Sequence, residues 1–125
     1  MDYRIEAILR SIEHDIGRTR RPSELAGEVC LSVSRFYDLF RQETGTVPAR
    51  YIRDCRFERA KQLLMTTNLS IKEVANHVGV HDDSHFVRHF QKLYGMSPRT
   101  FRRAYRNPVP EVDSDAFAGK IANKQ

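Results

Sequence analysis

One segment of this chain occurs twice, about fifty residues apart. The first copy, ELAGEVCLSVSRFYDLFRQETGTVPARYIR, runs from Glu24 to Arg53. The second, EVANHVGVHDDSHFVRHFQKLYGMSPRTFRR, runs from Glu73 to Arg103. Glu24, Ala26 and Val29 match Glu73, Ala75 and Val78. One extra residue then enters the turn of the second copy. After it Ser34, Phe36, Phe40, Gly45, Pro48 and Arg53 match Ser84, Phe86, Phe90, Gly95, Pro98 and Arg103. The matches fall on apolar helix positions, a turn glycine and a helix-start proline, so the repeat is structural. Each copy reads as a helix, a short turn and a second helix.

The whole chain follows from this frame. Ile5, Ile8, Leu9, Ile12 and Ile16 have helical spacing, and Gly17 is the expected C-cap. Pro22 suits a helix start; that helix is expected to bury Leu25, Ala26 and Val29 and to end near Leu31. Ser32 is the expected N-cap of a third helix, with Phe36, Leu39 and Phe40 inward and a stop at Gly45. Pro48 opens a fourth helix to about Thr66, with an apolar stripe of Ile52, Cys55, Ala60, Leu63 and Leu64. Ser70-x-x-Glu73 is a capping box for a fifth helix, which carries Ile71, Val74, Ala75 and Val78 and ends at Gly79. Asp82 or Asp83 then caps a sixth helix burying Phe86, Phe90 and Leu93. Ser97-Pro98 starts a seventh. The expected fold is all-α: seven helices in a domain over 1–106, two helix-turn-helix units at about 22–47 and 70–106, and a connecting helix at about 48–66. Residues 107–125, after Pro108 and Pro110, lack periodicity and are expected to be a flexible tail.

Charge adds weight to this pattern. The formal net charge is +5, and 16 arginines stand against 5 lysines. A basic surface alone is usually a solvated face. Beside two helix-turn-helix units it predicts double-stranded DNA as partner, because arginine bonds bidentately to phosphate and to guanine edges. No apolar run approaches the ~18 residues of a membrane span, so no membrane is expected. The start MDYRIEAILR lacks the apolar core of a signal peptide, which predicts a cytoplasmic protein. Cys30 and Cys55 lack metal-ligand spacing and are expected to be reduced core residues.

The pattern resembles the DNA-binding domain of the AraC/XylS family of bacterial transcription regulators. The resemblance is most specific over Ile71-x-x-Val74-Ala75-x-x-Val78-Gly79 and Asp83-Ser84-His85-Phe86-x-Arg88-x-Phe90-x-Lys92-x-x-Gly95-x-Ser97-Pro98-x-x-Phe101-Arg102. Tyr51-Ile52, Arg56-Phe57, Arg59-Ala60 and Leu63-Leu64 resemble the family's connecting helix. The resemblance covers roughly residues 5–106. It implies that the third and sixth helices enter successive major grooves on one face of the DNA. It also implies a separate effector or dimerisation domain in most members; this chain is either a small stand-alone regulator or one end of a larger one.

Candidate contacts follow by position. In the second unit they are Asp83, Ser84, His85, Arg88 and His89, where the family's base contacts map. Arg88 is the leading base or phosphate contact; its structural alternative is an ion pair with Asp83 or Asp54. In the first unit they are Ser34, Arg35, Tyr37, Asp38 and Arg41. Asp38 stands where the second unit has Arg88. A carboxylate repels phosphate, but it can accept from cytosine N4 or hold Arg35, Arg41 or Arg53 in place. Arg99 and Arg102 are expected phosphate contacts, with Ser32, Ser97, Thr100, Arg50 and Arg56 as further candidates. One molecule, carrying two unlike units, is expected to bind an asymmetric site of roughly 20 base pairs as a monomer. RNA polymerase is a second candidate partner, through polar residues of the first or connecting helix.

Other classes fit less well. His77, His81, His85 and His89 recur every fourth residue, but a turn interrupts the run, so no metal is expected. No glycine-rich phosphate loop or nucleophile elbow is present, so neither an enzyme nor a cofactor is expected. A protein-binding adaptor would explain basic helices but not two exposed faces of Ser, Arg and Tyr.

Overall fold

The computed structural model describes residues 1–106. Among these residues there are seven helices and no strand: α1 (Tyr3–His14), α2 (Pro22–Glu28), α3 (Val33–Thr44), α4 (Pro48–Thr66), α5 (Ile71–His77), α6 (Asp83–Tyr94) and α7 (Pro98–Tyr105). The expected all-α architecture holds. The expected tail, 107–125, lies outside the described residues.

The repeat is reproduced in backbone detail. α2 and α5 are each 7 residues long, and α3 and α6 are each 12. Ser32 accepts the Arg35 N–H at 3.1 Å, and Asp82 accepts the His85 N–H at 3.0 Å, so each second helix begins on a side-chain cap. Gly45 (φ 79°) and Gly95 (φ 78°) end them in the left-handed region, their N–H groups donating at 2.8 Å to Arg41 O and Gln91 O. Ser70 and Glu73 form the expected capping box. At α2, Glu24 accepts the Arg21 N–H at 2.9 Å, but an arginine side chain has no acceptor to return, so only half a box exists there.

The core is divided. Ile5, Ile8, Ile12, Leu25, Ala26, Phe36, Leu39 and Phe40 form one buried cluster. Phe57, Ala60, Leu63, Leu64, Val74, Ala75, Val78, Phe86, Phe90 and Phe101 form another. α4 serves both: Tyr51 and Ile52 pack on the first, and Phe57 to Leu64 enter the second. It has 19 residues, hence a length of about 28 Å. Phe57, outside the expected stripe, is buried and stacks on Phe86 at 5.3 Å. Its burial shows that α4 turns a different face to each unit.

Four expectations need correction. α2 ends at Glu28 rather than near Leu31, because Val29 to Leu31 close a turn in which the Leu31 N–H donates to Ala26 O. Cys30 is therefore not a core residue: it is exposed and holds φ 58°. Gly17 is not a C-cap, since α1 stops at His14 with Asp15 as its cap residue; Gly17 is needed for a close approach instead. Leu93 is 40% exposed rather than buried, because Phe90 and Tyr94 occupy the inward face of that turn.

The left-handed Cys30 corresponds to Gly79 (φ 85°) in the second copy. A left-handed non-glycine residue costs roughly 1–2 kcal/mol, and a new glycine returns part of that gain by loosening the unfolded chain. Cys30→Gly is expected to stabilise the protein by about 0.5–1 kcal/mol. Urea denaturation followed by circular dichroism checks this; a loss of stability would mean that the Cys30 side chain makes contacts that outweigh its strain.

Candidate nucleic-acid interface

α3 and α6 are the second helices of the two units, and they carry most of the residues expected to make contacts. On α3, Ser34, Arg35, Asp38 and Arg41 are exposed, and Tyr37 is half-buried with its ring 6.2 Å from that of Phe36. Ser34, Asp38 and Arg41 follow the i, i+4, i+7 spacing of one helix face. The inward face is Phe36, Leu39 and Phe40. Asp38 makes no ion pair among the described residues, so it holds none of Arg35, Arg41 and Arg53. Its carboxylate is free to meet a partner.

On α6, Asp83, Ser84, His85 and Arg88 are exposed. Ser84 and Arg88 are four residues apart and share a face. Arg88 pairs with neither Asp83 nor Asp54; Asp54 lies 3.8 Å from Arg53 instead. His89 differs from its neighbours. It is half-buried, with its ring 4.7 Å from Phe57 and stacked on His85 at 5.8 Å. Its Nε2 is enclosed and has no hydrogen-bond partner among the described residues. Burial, then the nearby Arg53 and His85 charges, hold its pKa below the ordinary 6.5. A neutral imidazole in this place supports His85 from beneath. His77 and His81 sit apart, at the end of α5 and in the following turn, where His81 approaches Asn76 at 3.2 Å. Among the described residues no group of His, Cys, Asp and Glu has the arrangement of a metal site.

The remaining basic residues divide by what they touch. Arg50 and Arg99 are exposed. Arg102 is half-buried: its Nε donates to Leu64 O at 3.0 Å and its Nη2 to Thr67 O at 3.2 Å. These carbonyls belong to the end of α4, so Arg102 ties α7 to the connecting helix. Arg56 spends Nε, Nη2 and Nη1 on the carbonyls of Ile16, Arg18 and Gly79, at 3.0, 3.2 and 3.4 Å. Burial pulls the pKa of both guanidiniums down. Arg20 is similarly committed, pairing with Glu28 at 2.9 Å. Ser97 bonds the Thr100 N–H and hydroxyl as the cap of α7. The sequence did carry a signal for Arg56: it stands four residues from both Ile52 and Ala60, inside the apolar face of α4. An arginine in such a place usually reaches backbone acceptors rather than solvent.

Comparison with known proteins places this geometry. Residues 25–104 match a family described as a helix-turn-helix domain. The arabinose operon regulatory protein of Escherichia coli (strain K12) is 40% identical over 90 residues, 72% of this chain and 31% of that protein. The Msm operon regulatory protein of Streptococcus mutans is 32% identical over 103 residues, covering 82% and 37% respectively. The chain thus spans about a third of the length of these curated relatives. Among solved structures, the DNA-binding domain of AdpA in complex with a target DNA superposes with a TM-score of 0.77 at 27% identity, over 86% of this chain and 97% of that one. An AraC-type regulator from Chromobacterium violaceum gives 0.78, also at 27% identity, over 86% and 96%.

Two predictions test the division of basic and imidazole groups. Arg102→Ala is expected to destabilise the fold by about 1–3 kcal/mol, because it strands two carbonyls at the end of α4; Arg99→Ala should stay within about 0.5 kcal/mol. Urea titrations of the two variants separate them, and equal losses would refute the distinction. His89 gives a pH signature. Its folded pKa is depressed, so the unfolded chain takes up the proton first as pH falls. The stability from the neutral ring is full above 6.5 and is lost as pH falls through the folded value. His89→Phe keeps a ring against Phe57 and should therefore lose less stability than the parent between pH 8 and pH 5. Thermal melts at the two pH values decide, and parallel losses would remove His89 from the account.

Proposed function

The chain belongs to the AraC/XylS family of helix-turn-helix transcription regulators, and we propose that one molecule reads an asymmetric duplex site of roughly 20 base pairs with α3 and α6 in successive major grooves. It is a sequence-specific DNA-binding domain acting in transcription regulation. The family binds DNA and is not enzymatic. No helix among the described residues is long and apolar enough to cross a membrane. The proposed place of action is the bacterial nucleoid, with RNA polymerase as second partner through exposed polar residues of α1 or α4.

The observation that carries the reading is the duplicated start of α3 and α6. Each begins on a side-chain cap, follows a short helix of equal length and exposes polar residues from its first two turns. Two such helices, packed on one connector at Tyr51 (against Phe40 of α3) and at Phe57 (against Phe86 of α6), suit successive major grooves along one face of a duplex. Within that docking, Ser34, Arg35, Tyr37, Asp38 and Arg41 face one groove. Asp83, Ser84, His85 and Arg88 face the next, with His89 as support. Arg99 is the proposed phosphate contact of α7, and Arg102 contributes there mainly by holding α7 in place.

The site itself is to be found by selection from a random duplex library. Binding should then show one protein per site and fall with salt at a slope near −0.9 per phosphate contact. A palindromic site occupied by two molecules would overturn the monomer reading. Arg88→Ala is expected to cost about 1–3 kcal/mol of specific affinity, more than Asp38→Ala, as a donor to guanine or phosphate against an acceptor that phosphate repels. Measurement on selected and scrambled duplexes sharpens the outcome. An equal loss on both would reduce Arg88 to a phosphate contact, and no loss would remove it from the interface.

A further inference from the structure

Besides α4, the two units touch where the α1–α2 loop meets the α5–α6 turn, backbone against backbone. A Cβ built on Gly17, in the α1–α2 loop, would lie 2.6 Å from His77 O. A Cβ on Gly79, in the α5–α6 turn, would lie 2.7 Å from Gly17 O, 3.1 Å from Gly17 Cα and 3.0 Å from the Arg56 guanidinium carbon. Neither position has room for a side chain. Arg56, from mid-α4, bonds both sides at once: Ile16 O and Arg18 O in the first unit, Gly79 O in the second.

The repeat supplies an internal control. Cys30 occupies the place of Gly79 in the first unit, with the same left-handed backbone and an exposed side chain. A turn of this shape therefore accepts a side chain where nothing packs on it. Gly79 must lack one because the first unit does pack on it. No buried apolar cluster spans the two units among the described residues, so this contact and α4 are what relate them. The contact also sits close to both readers. α6 starts on Asp82, three residues after Gly79, and the α1–α2 loop leads into α2, which packs on α3.

We propose that Gly17, Gly79 and Arg56 form a latch that sets the angle and separation of α3 and α6, making them positioning residues for the spacing of the DNA site. α4 alone would leave the units free to bend and twist about its middle. The latch removes that freedom, so the protein meets DNA with one geometry. The site-spacing half of this inference rests on the two-groove reading above; the geometric half does not.

The test uses the full chain in three forms: the parent, Gly17→Ala and Arg56→Lys. Alanine at Gly17 forces the two loops apart. Lysine keeps the charge but has a single ammonium where the planar fork reached three carbonyls. Arg56→Lys serves where Gly17→Ala fails to fold, as judged by circular dichroism. Residual dipolar couplings of backbone amides report the relative orientation of the units without DNA. In the parent, one alignment tensor should fit both units; in a folded variant the two should need different tensors. On DNA, the parent is expected to lose about tenfold or more when one base pair is inserted between the halves of its selected site, since that turns the second groove by about 34°. A folded variant should lose much less, about threefold or below, because its units can follow the turn. A variant with a single shared tensor and the parent's full spacing penalty would overturn the latch. If the parent binds no duplex at low salt, the DNA reading fails, and the couplings still decide whether the latch exists.

Discussion

The guanidinium of Arg56 is the interaction on which the arrangement of the whole domain turns. Each unit has a hydrophobic cluster of its own, and α4 runs from one to the other. Hydrophobic burial therefore stabilises each unit but says little about how one sits on the other. Directional bonds have to supply that. Arg56 provides three donors in a rigid plane, and the carbonyls of Ile16, Arg18 and Gly79 converge on it from two loops. Bonds from a charged donor contribute about 1.5–3 kcal/mol each at most, so even a partial set matters in a domain of this size. The two glycines make the approach possible. Without them the loops stand too far apart for one guanidinium to reach both.

A repeat copies local physics and lets the rest diverge. Helix lengths, side-chain caps and glycine stops agree between the units, down to the φ of Gly45 and Gly95. The divergence is confined to places where the surroundings differ. Ser70 closes a reciprocal box that Arg21 cannot. Gly79 is pressed by the other unit, whereas Cys30 faces solvent and keeps a side chain at some conformational cost. Asp38 and Arg88 stand at equivalent places with opposite charge, and neither is paired among the described residues. Core positions are alike because both units solve one packing problem. In the proposed docking, outward positions differ because each unit faces its own stretch of DNA.

Most of the fold was legible in the sequence for a physical reason: its elements are short and amphipathic, and are punctuated by capping residues. Helical spacing at Ile5, Ile8 and Ile12, the Ser70–Glu73 box and the stops at Gly45 and Gly95 are all local signals. What escaped was non-local. Gly17 has the composition of a helix cap, and only the position of His77 reveals its role. Arg102 looks like a solvated or phosphate-binding arginine until the carbonyls it reaches are known, and the apolar face of α4 flags Arg56 without saying which carbonyls it meets. Cys30 was misplaced because an apolar residue near a helix end fits either the last turn or the loop after it, and Leu93 because Phe90 and Tyr94 take the inward face of the same turn. The outward faces of α3 and α6 were readable by subtraction: once the inward residues are assigned, Ser34, Asp38, Ser84 and Arg88 have nowhere else to point.

Electrostatics separates the two readers further. A helix N-terminus carries partial positive charge and attracts phosphate. At α3 the cap is the neutral Ser32, no acid lies in the first turn, and Arg35 adds its own charge. That end of the helix keeps its attraction for anions. At α6 the cap is Asp82 and the next residue is Asp83, so two carboxylates already answer the helix dipole. Positive charge reappears only at Arg88, more than a turn further along. In the proposed docking, backbone attraction is then concentrated at the start of α3. α6 gains less from phosphate and depends more on the shape and donors of Ser84, His85 and Arg88 against base edges. Fixing α6 relative to α3 is what makes that division workable. A reader that attracts weakly can be held at its groove by a partner that attracts strongly, provided that the contact between them does not yield.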